Sequence, residues 1–234
     1  MNQPETPVFL HTFVPGHSTR TLLLLHGTGG DENDLIPLGR ALDTDANLLS
    51  PRGKVLENGM PRFFRRLAEG IFDEEDLIFR THELADFIEQ ASTKYSLNQQ
   101  NLFAVGYSNG ANIAGSLLLL RARTLAGAVL LRSMVPIVPE PLPDLKGIPV
   151  LVVSGRHDPI IPGDEALQLV ATLRSAGAQV STSFENTGHG LTEGTIEIAR
   201  RWLATVGRVT ELKSGEIRNH QETSAPDEKS GHSA

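Results

Sequence analysis

The pentapeptide GYSNG, Gly106 to Gly110, sets a serine between two glycines, directly after the apolar run NLFAV and directly before ANIAGSLLLL. A serine hydroxyl is a weak nucleophile near neutral pH and becomes an effective one when a base takes its proton and an acid orients that base. At a sharp strand-to-helix turn the flanking glycines avoid collision with neighbouring chain, so Ser108 would stand on strained backbone above the end of a sheet. The amide of Asn109, at the start of the following helix, could then donate to an oxyanion. In the competing reading Ser108 simply caps that helix, for which serine is a favoured residue. The flanking sequence favours the elbow.

A base and its orienting acid are expected after the serine in chain order, which leaves His157, His189, His220 and His232 to compete for the base. His220 and His232 lie in a strongly polar C-terminal stretch. His189 sits between glycines in ENTGHGLTEG, ahead of a helical segment, and Asp158 follows the apolar run IPVLVVSG in GRHDPIIP, at the strand edge where α/β sheets gather their sites. The assignment that uses both positions makes Asp158 the orienter and His189 the base. The 50 residues from Ser108 to Asp158 leave room for a strand and its connections, and the 31 from Asp158 to His189 for one helix and one strand. Activity is then expected to fall in acid, as His189 takes up a proton.

Upstream, HGTGGD (His26 to Asp31) follows the apolar run TLLLL, and its glycine-rich turn can present the Thr28 amide as a second oxyanion donor. One such donor is typically worth about 3 to 4 kcal/mol. His26 reads as a structural residue orienting that turn. The turn lacks the Gly-Lys-Ser/Thr ending of a phosphate loop, and neither His157 with Asp158 nor His82 with Glu83 has the HExxH spacing of a metal site. No metal or organic cofactor is expected.

To position these residues the chain alternates short apolar runs with helix-period segments, the pattern of an α/β fold with a parallel sheet covered on both faces. Strands are expected in PVFLHTFV, TLLLLHG, ANLLSPRG, NLFAVGY, AGAVLLRS, IPVLVVSG and AQVSTSFE. DEEDLIFRTHELADFIEQAS places Leu77, Ile78, Leu84, Phe87 and Ile88 on one helical stripe, with acidic residues crowding its first turn. NGANIAGSLLLLRAR is apolar nearly all round, as suits a buried helix. Two further helices are expected to end at Gly177 and Gly207, each glycine where a C-terminal cap would stand. Pro51 to Phe72 shows neither period and reads as a long functional loop. In it Met60, Phe63 and Phe64 beside Arg62, Arg65 and Arg66 could line a small apolar pocket with a polar rim. The plainer reading tucks the phenylalanines into the core.

With 234 residues, 39% of them hydrophobic, the chain suits one domain, taken as residues 1–208, followed by a polar and disordered tail over 209–234. The net charge of -7, without a basic patch interleaved with aromatics, argues against a nucleic-acid partner. Absence of cysteine excludes a disulfide framework or a thiolate nucleophile. No apolar run is long enough for a membrane span, and the N-terminal residues show no targeting pattern, so a soluble cytoplasmic protein is expected.

Together HGTGGDENDL, GYSNGANIA, SGRHDPIIP and TGHGL resemble the phospholipase/carboxylesterase family of serine hydrolases, which includes the acyl-protein thioesterases, over about residues 20 to 206. RGKVLENGMPRFF, FDEEDL and LLRSMVP look like its bacterial carboxylesterase branch associated with hydroquinone resistance. The resemblance implies an α/β-hydrolase fold, a mostly parallel central sheet with helices on both faces and no large lid. It carries Ser108, Asp158 and His189 over as a triad and Thr28 and Asn109 as the oxyanion amides. It also implies a homodimer, frequent in the family, and a shallow substrate pocket using Met60, Phe63 and Met134. Thioesterases of the family usually show Gln and Leu where this chain has Asn109 and Thr28. Small short-acyl or aryl esters, hydrolysed through an acyl-enzyme, are therefore the expected substrates. An acyl-protein thioesterase or lysophospholipase, and an inactive hydrolase-fold binding protein, are the alternatives.

Overall fold

In the computed structural model, which describes residues 9–206, β1 (His11–Val14), β2 (Thr21–Leu25), α1 (Ile36–Leu42) and β3 (Asn47–Pro51) come first. Two small hairpins follow, β4 (Val55–Glu57) with β5 (Met60–Arg62), and β6 (Arg66–Ala68) with β7 (Ile71–Phe72). Then come α2 (Glu74–Tyr95), β8 (Leu102–Tyr107), α3 (Asn109–Leu120), β9 (Gly127–Leu131), β10 (Pro149–Gly155), α4 (Gly163–Ser175) and β11 (Gln179–Glu185). A last helix, α5, runs over residues 193–206.

Seven of the described strands form one sheet in the order β1-β3-β2-β8-β9-β10-β11. All neighbours are parallel except the edge strand β1, antiparallel to β3. Successive side chains of a strand point to opposite faces, and the central strands, apolar at nearly every position, feed both. Leu23 and Leu25 join the core formed with α2, α3 and α4, whereas Leu22 and Leu24 join the core formed with α1 and α5. Of the expected stripe on α2, Leu77, Leu84, Phe87 and Ile88 are buried, and Asp73 caps its first turn by accepting from the Asp76 amide at 3.1 Å.

From β2 the chain crosses by α1 to β3 on one side, and returns by α2 to β8 on the other. The ends of β2 and β8 therefore flank a topological switch point, where open α/β sheets place their ligands. The turn after β2 carries His26 to Gly30, and the turn after β8 carries Ser108.

Two elements differ from the sequence expectation. Within the expected loop, residues 55–62 and 66–72 form two hairpins, their strands of two or three residues being too short to show a period of 2. The seven-residue α1, with Pro37 and Gly39 inside it, has too little periodic length to be read as a helix. The glycine expected to end α4, Gly177, stands just beyond it at φ +93°, a conformation glycine adopts without strain. Gly207 and the polar stretch from Val209 lie outside the described residues. Among the described residues no helix is long and apolar enough to cross a membrane.

Candidate active site

Ser108 joins β8 to α3 with φ 53° and ψ -116°, backbone that costs a non-glycine residue on the order of 1 to 3 kcal/mol. Its amide donates to the Leu131 carbonyl at 2.9 Å, pinning the turn to β9. A Cβ at Gly106 would collide with the backbone of Gly110 and Ala111, and one at Gly110 with the carbonyl oxygens of Leu25 and His26. The glycines thus let α3 start hard against the end of β2. Although Ser108 occupies the N-cap position, its side chain makes no capping hydrogen bond. The hydroxyl is instead directed to a histidine.

Ser108 Oγ lies 3.0 Å from His189 Nε2, and His189 Nδ1 lies 2.8 Å from Asp158 Oδ2. A carboxylate can only accept, so Nδ1 carries the proton, Nε2 is left as an acceptor and the serine hydroxyl donates to it. The Asp158 side chain, almost fully buried, is itself fixed through Oδ1, which accepts from the amides of Ile160 at 2.9 Å and Ile161 at 3.1 Å. The three residues come from the ends of β8, β10 and β11, 81 positions apart along the chain at the widest. The rival His157 is turned away, its ring on the Asn186 side-chain oxygen at 2.7 Å.

The loop carrying His189 is built around Arg132, which is fully buried at the end of β9 with its own backbone at φ 56°. Its Nε donates to the Gly188 carbonyl at 3.1 Å and Nη2 to the Gly190 carbonyl at 3.2 Å, so the guanidinium grips the residues on both sides of His189. Nη2 also reaches Glu185 Oε2 at 2.9 Å and the Thr187 and Thr195 hydroxyls at 3.1 and 3.3 Å. Desolvation alone would raise the Glu185 carboxyl, but hydrogen bonds from Thr195 and Arg132 outweigh it and hold the group below its usual value. From above, the Tyr107 hydroxyl donates to the His189 carbonyl at 3.2 Å. The motif LLRS did not announce this role, because the partners of Arg132 around the His189 loop lie more than fifty positions away.

Across the cleft, the turn after β2 rests on the hairpin segment. Fully buried His26 accepts from the Gly53 amide at Nε2 (2.9 Å) and donates from Nδ1 to the Gly27 carbonyl (2.7 Å), so the ring is neutral. Burial lowers its pKa. The Gly29 amide donates to the Pro61 carbonyl at 2.9 Å, and Arg62 Nη1 to the Thr28 hydroxyl at 2.7 Å. That leaves the Thr28 amide without an acceptor among the described residues. The Asn109 amide, first in α3, has no carbonyl one turn back. The Asn109 side chain accepts from the Phe63 amide at 2.8 Å, tying α3 to the same segment.

The cleft holding Ser108 and His189 has a volume of about 320 Å³. Of the three residues expected in the pocket, Met134 lines it, together with the apolar Phe72, Ile160 and Ile161. Phe63 does not: it is 2% exposed and lies beneath the turn, its ring 4.7 Å from that of His26. There the aromatic ring loses its whole apolar surface to the core, which a cleft wall would not allow. Met60 does not line it either, being 41% exposed beside Gly29 on its hairpin. The polar lining is instead formed by Arg62, Arg66, Glu69 and Asn112 with Thr28 and Asn109. Arg65, expected on the same rim, points to solvent and pairs with Asp73 at 2.7 Å. Arg62 is 3% exposed, and burial lowers its pKa although Glu57 pulls it back up.

Residues 15–207 match the family model described as Phospholipase/Carboxylesterase. The chain is 52% identical over 192 residues to the putative hydrolase MhqD of Bacillus subtilis, covering 82% of this chain and 96% of that protein. The crystal structure of the Bacillus cereus carboxylesterase superposes with a TM-score of 0.82 at 51% identity, over 84% of this chain and 94% of that one. A carboxylesterase from Mesorhizobium loti gives a TM-score of 0.77 at 34% identity, over 81% of this chain and 90% of its own.

Proposed function

The chain belongs to the phospholipase/carboxylesterase family of α/β-hydrolases, and from that membership we propose that it is a serine carboxylesterase acting on small esters through an acyl-enzyme. The observation that carries this reading is the hydrogen-bonded chain from Ser108 through His189 to Asp158, set on a strained elbow. Ser108 attacks the ester carbonyl while its proton passes to His189 Nε2, and Asp158 steadies the imidazolium that forms. The carbonyl oxygen, now negative, takes hydrogen bonds from the Thr28 and Asn109 amides. His189 returns the proton to the departing alkoxide, and the acyl group remains on Ser108. Water then gives its proton to His189 and attacks the acyl carbon, releasing the acid and restoring the serine.

The modest cleft, near the lower end of small-molecule sites, favours a short-acyl or aryl ester over a long acyl chain. The two carboxylesterases among the relatives point to the same bond type. Rates on p-nitrophenyl acetate and its longer acyl homologues test the proposal. Activity is expected to decline with chain length and to drop at least ~10³-fold in Ser108→Ala. Equal rates in the two proteins would remove Ser108 as nucleophile, and a preference for long chains would favour a thioesterase or lysophospholipase.

A further inference from the structure

Two of the fixed charges in the cleft wall sit where a neutral ester has no use for them. Arg62 and Arg66 both line the cavity that contains Ser108, and both lean on one carboxylate, Glu57. Arg62 Nη1 lies 3.2 Å from Glu57 Oε2, and Arg66 Nε lies 2.8 Å from Glu57 Oε1. Two guanidinium groups against one carboxylate leave about one positive charge over. Glu69, also in the lining, is exposed to solvent and forms no ion pair with either arginine among the described residues.

The two arginines are committed differently. Arg62 is nearly fully buried, and it donates from Nη1 to the Thr28 hydroxyl and from Nε, at 3.2 Å, to the Phe64 carbonyl. Arg66 is only partly buried, uses Nε for Glu57, and has no partner for Nη1 or Nη2 among the described residues. Those two nitrogens form the planar fork that matches a carboxylate. The chain as a whole carries a net charge of -7, so an anion gains nothing from the bulk of the surface. A local positive wall in a concave site focuses the field there.

Resting on the esterase reading of Ser108, we propose that Arg66, backed by Arg62, is an anion subsite and that the esters this protein hydrolyses carry a free carboxylate. With one end of such a molecule at Ser108 and the other at Arg66, the cleft selects half-esters of dicarboxylic acids or esters of carboxylated phenols. The two classes differ only in which side of the scissile bond bears the charge.

Matched pairs test this: monoethyl adipate against ethyl hexanoate for a charge on the acyl side, and 4-acetoxybenzoate against its methyl ester for a charge on the leaving group. In at least one pair kcat/KM for the anionic member is expected to exceed that of its neutral match by about tenfold at low ionic strength, with the ratio falling as salt is raised. In Arg66→Gln that ratio is expected to drop by about tenfold. Ratios near one in both pairs, unmoved by salt and by the substitution while the neutral esters are still turned over, would overturn the subsite. Failure of the esterase reading looks different, since no ester of either charge would then be cleaved.

Discussion

Each side of the cleft is organised by a buried arginine, and the two sides use the charge in different ways. Under the His189 loop, Arg132 is enclosed by one carboxylate, three backbone carbonyls and two hydroxyls, so its charge is matched in place and each of its three guanidinium nitrogens has a structural acceptor. Under the Thr28 turn, Arg62 divides a single carboxylate with Arg66, and the second guanidinium lines the cleft with no partner for Nη1 or Nη2 among the described residues. A saturated arginine can only position. An undersaturated pair can position and also bind, and the cost of burying it is offset when an anionic ligand completes it.

The largest effects are expected on the saturated side. Arg132→Ala leaves the partly buried Glu185 without its guanidinium partner, a change expected to cost up to about 3 kcal/mol, read as a lower midpoint in urea unfolding. Arg132→Lys keeps the charge but cannot grip both flanks of His189. Its kcat is expected to fall on the order of 10- to 100-fold with KM nearly unchanged, because the base is displaced and not the substrate. The loss should be the same for anionic and neutral esters. A shift in their ratio would break the comparison by giving Arg132 a part in substrate selection.

A smaller effect, opposite in sense, is expected from Glu57→Gln on the other side. Removing the shared carboxylate frees more positive potential in the cleft, so preference for the anionic ester should rise severalfold in the paired assay. A fall would mean that Glu57 holds Arg66 in place more than it dilutes its charge.

The smallest effects separate the two sides by pH. His26, beneath the Thr28 turn, is held neutral with its pKa lowered by burial, so the unfolded chain binds the proton more readily. Folding stability should therefore decline as pH falls below about 6.5, and the decline should flatten in His26→Gln. Glu185, on the Arg132 side, is also lowered; its stabilisation is present above 4.5 and is lost only as pH drops below that. Thermal melts from about pH 8 down to about pH 2, on the order of half a unit apart, would resolve the two steps.

What could be read from sequence divides along the same line between local and long-range chemistry. Gly106 and Gly110 announce the elbow because their requirement is local: any side chain there meets backbone of the same turn or of the adjoining strand end. Chain order and strand ends suffice to bring Ser108, Asp158 and His189 together, and the structure places them within hydrogen-bonding distance. The work of Arg132 is invisible in LLRS, since its acceptors arrive from β11 and the start of α5. Likewise the segment FFRR shows no period that tells which residue turns in. The core takes Phe63 and Phe64, and the cleft is left with Arg62 and Arg66 where a phenylalanine was expected.

Nucleophile activation is the claim on which the rest depends, and it can be tested without knowing the substrate. Wild-type protein incubated with a fluorophosphonate probe and digested for mass spectrometry should carry one adduct, on the peptide containing Ser108, and His189→Ala should be labelled far more slowly. Folded protein that stays unlabelled, or that carries the adduct on another serine, would contradict the account.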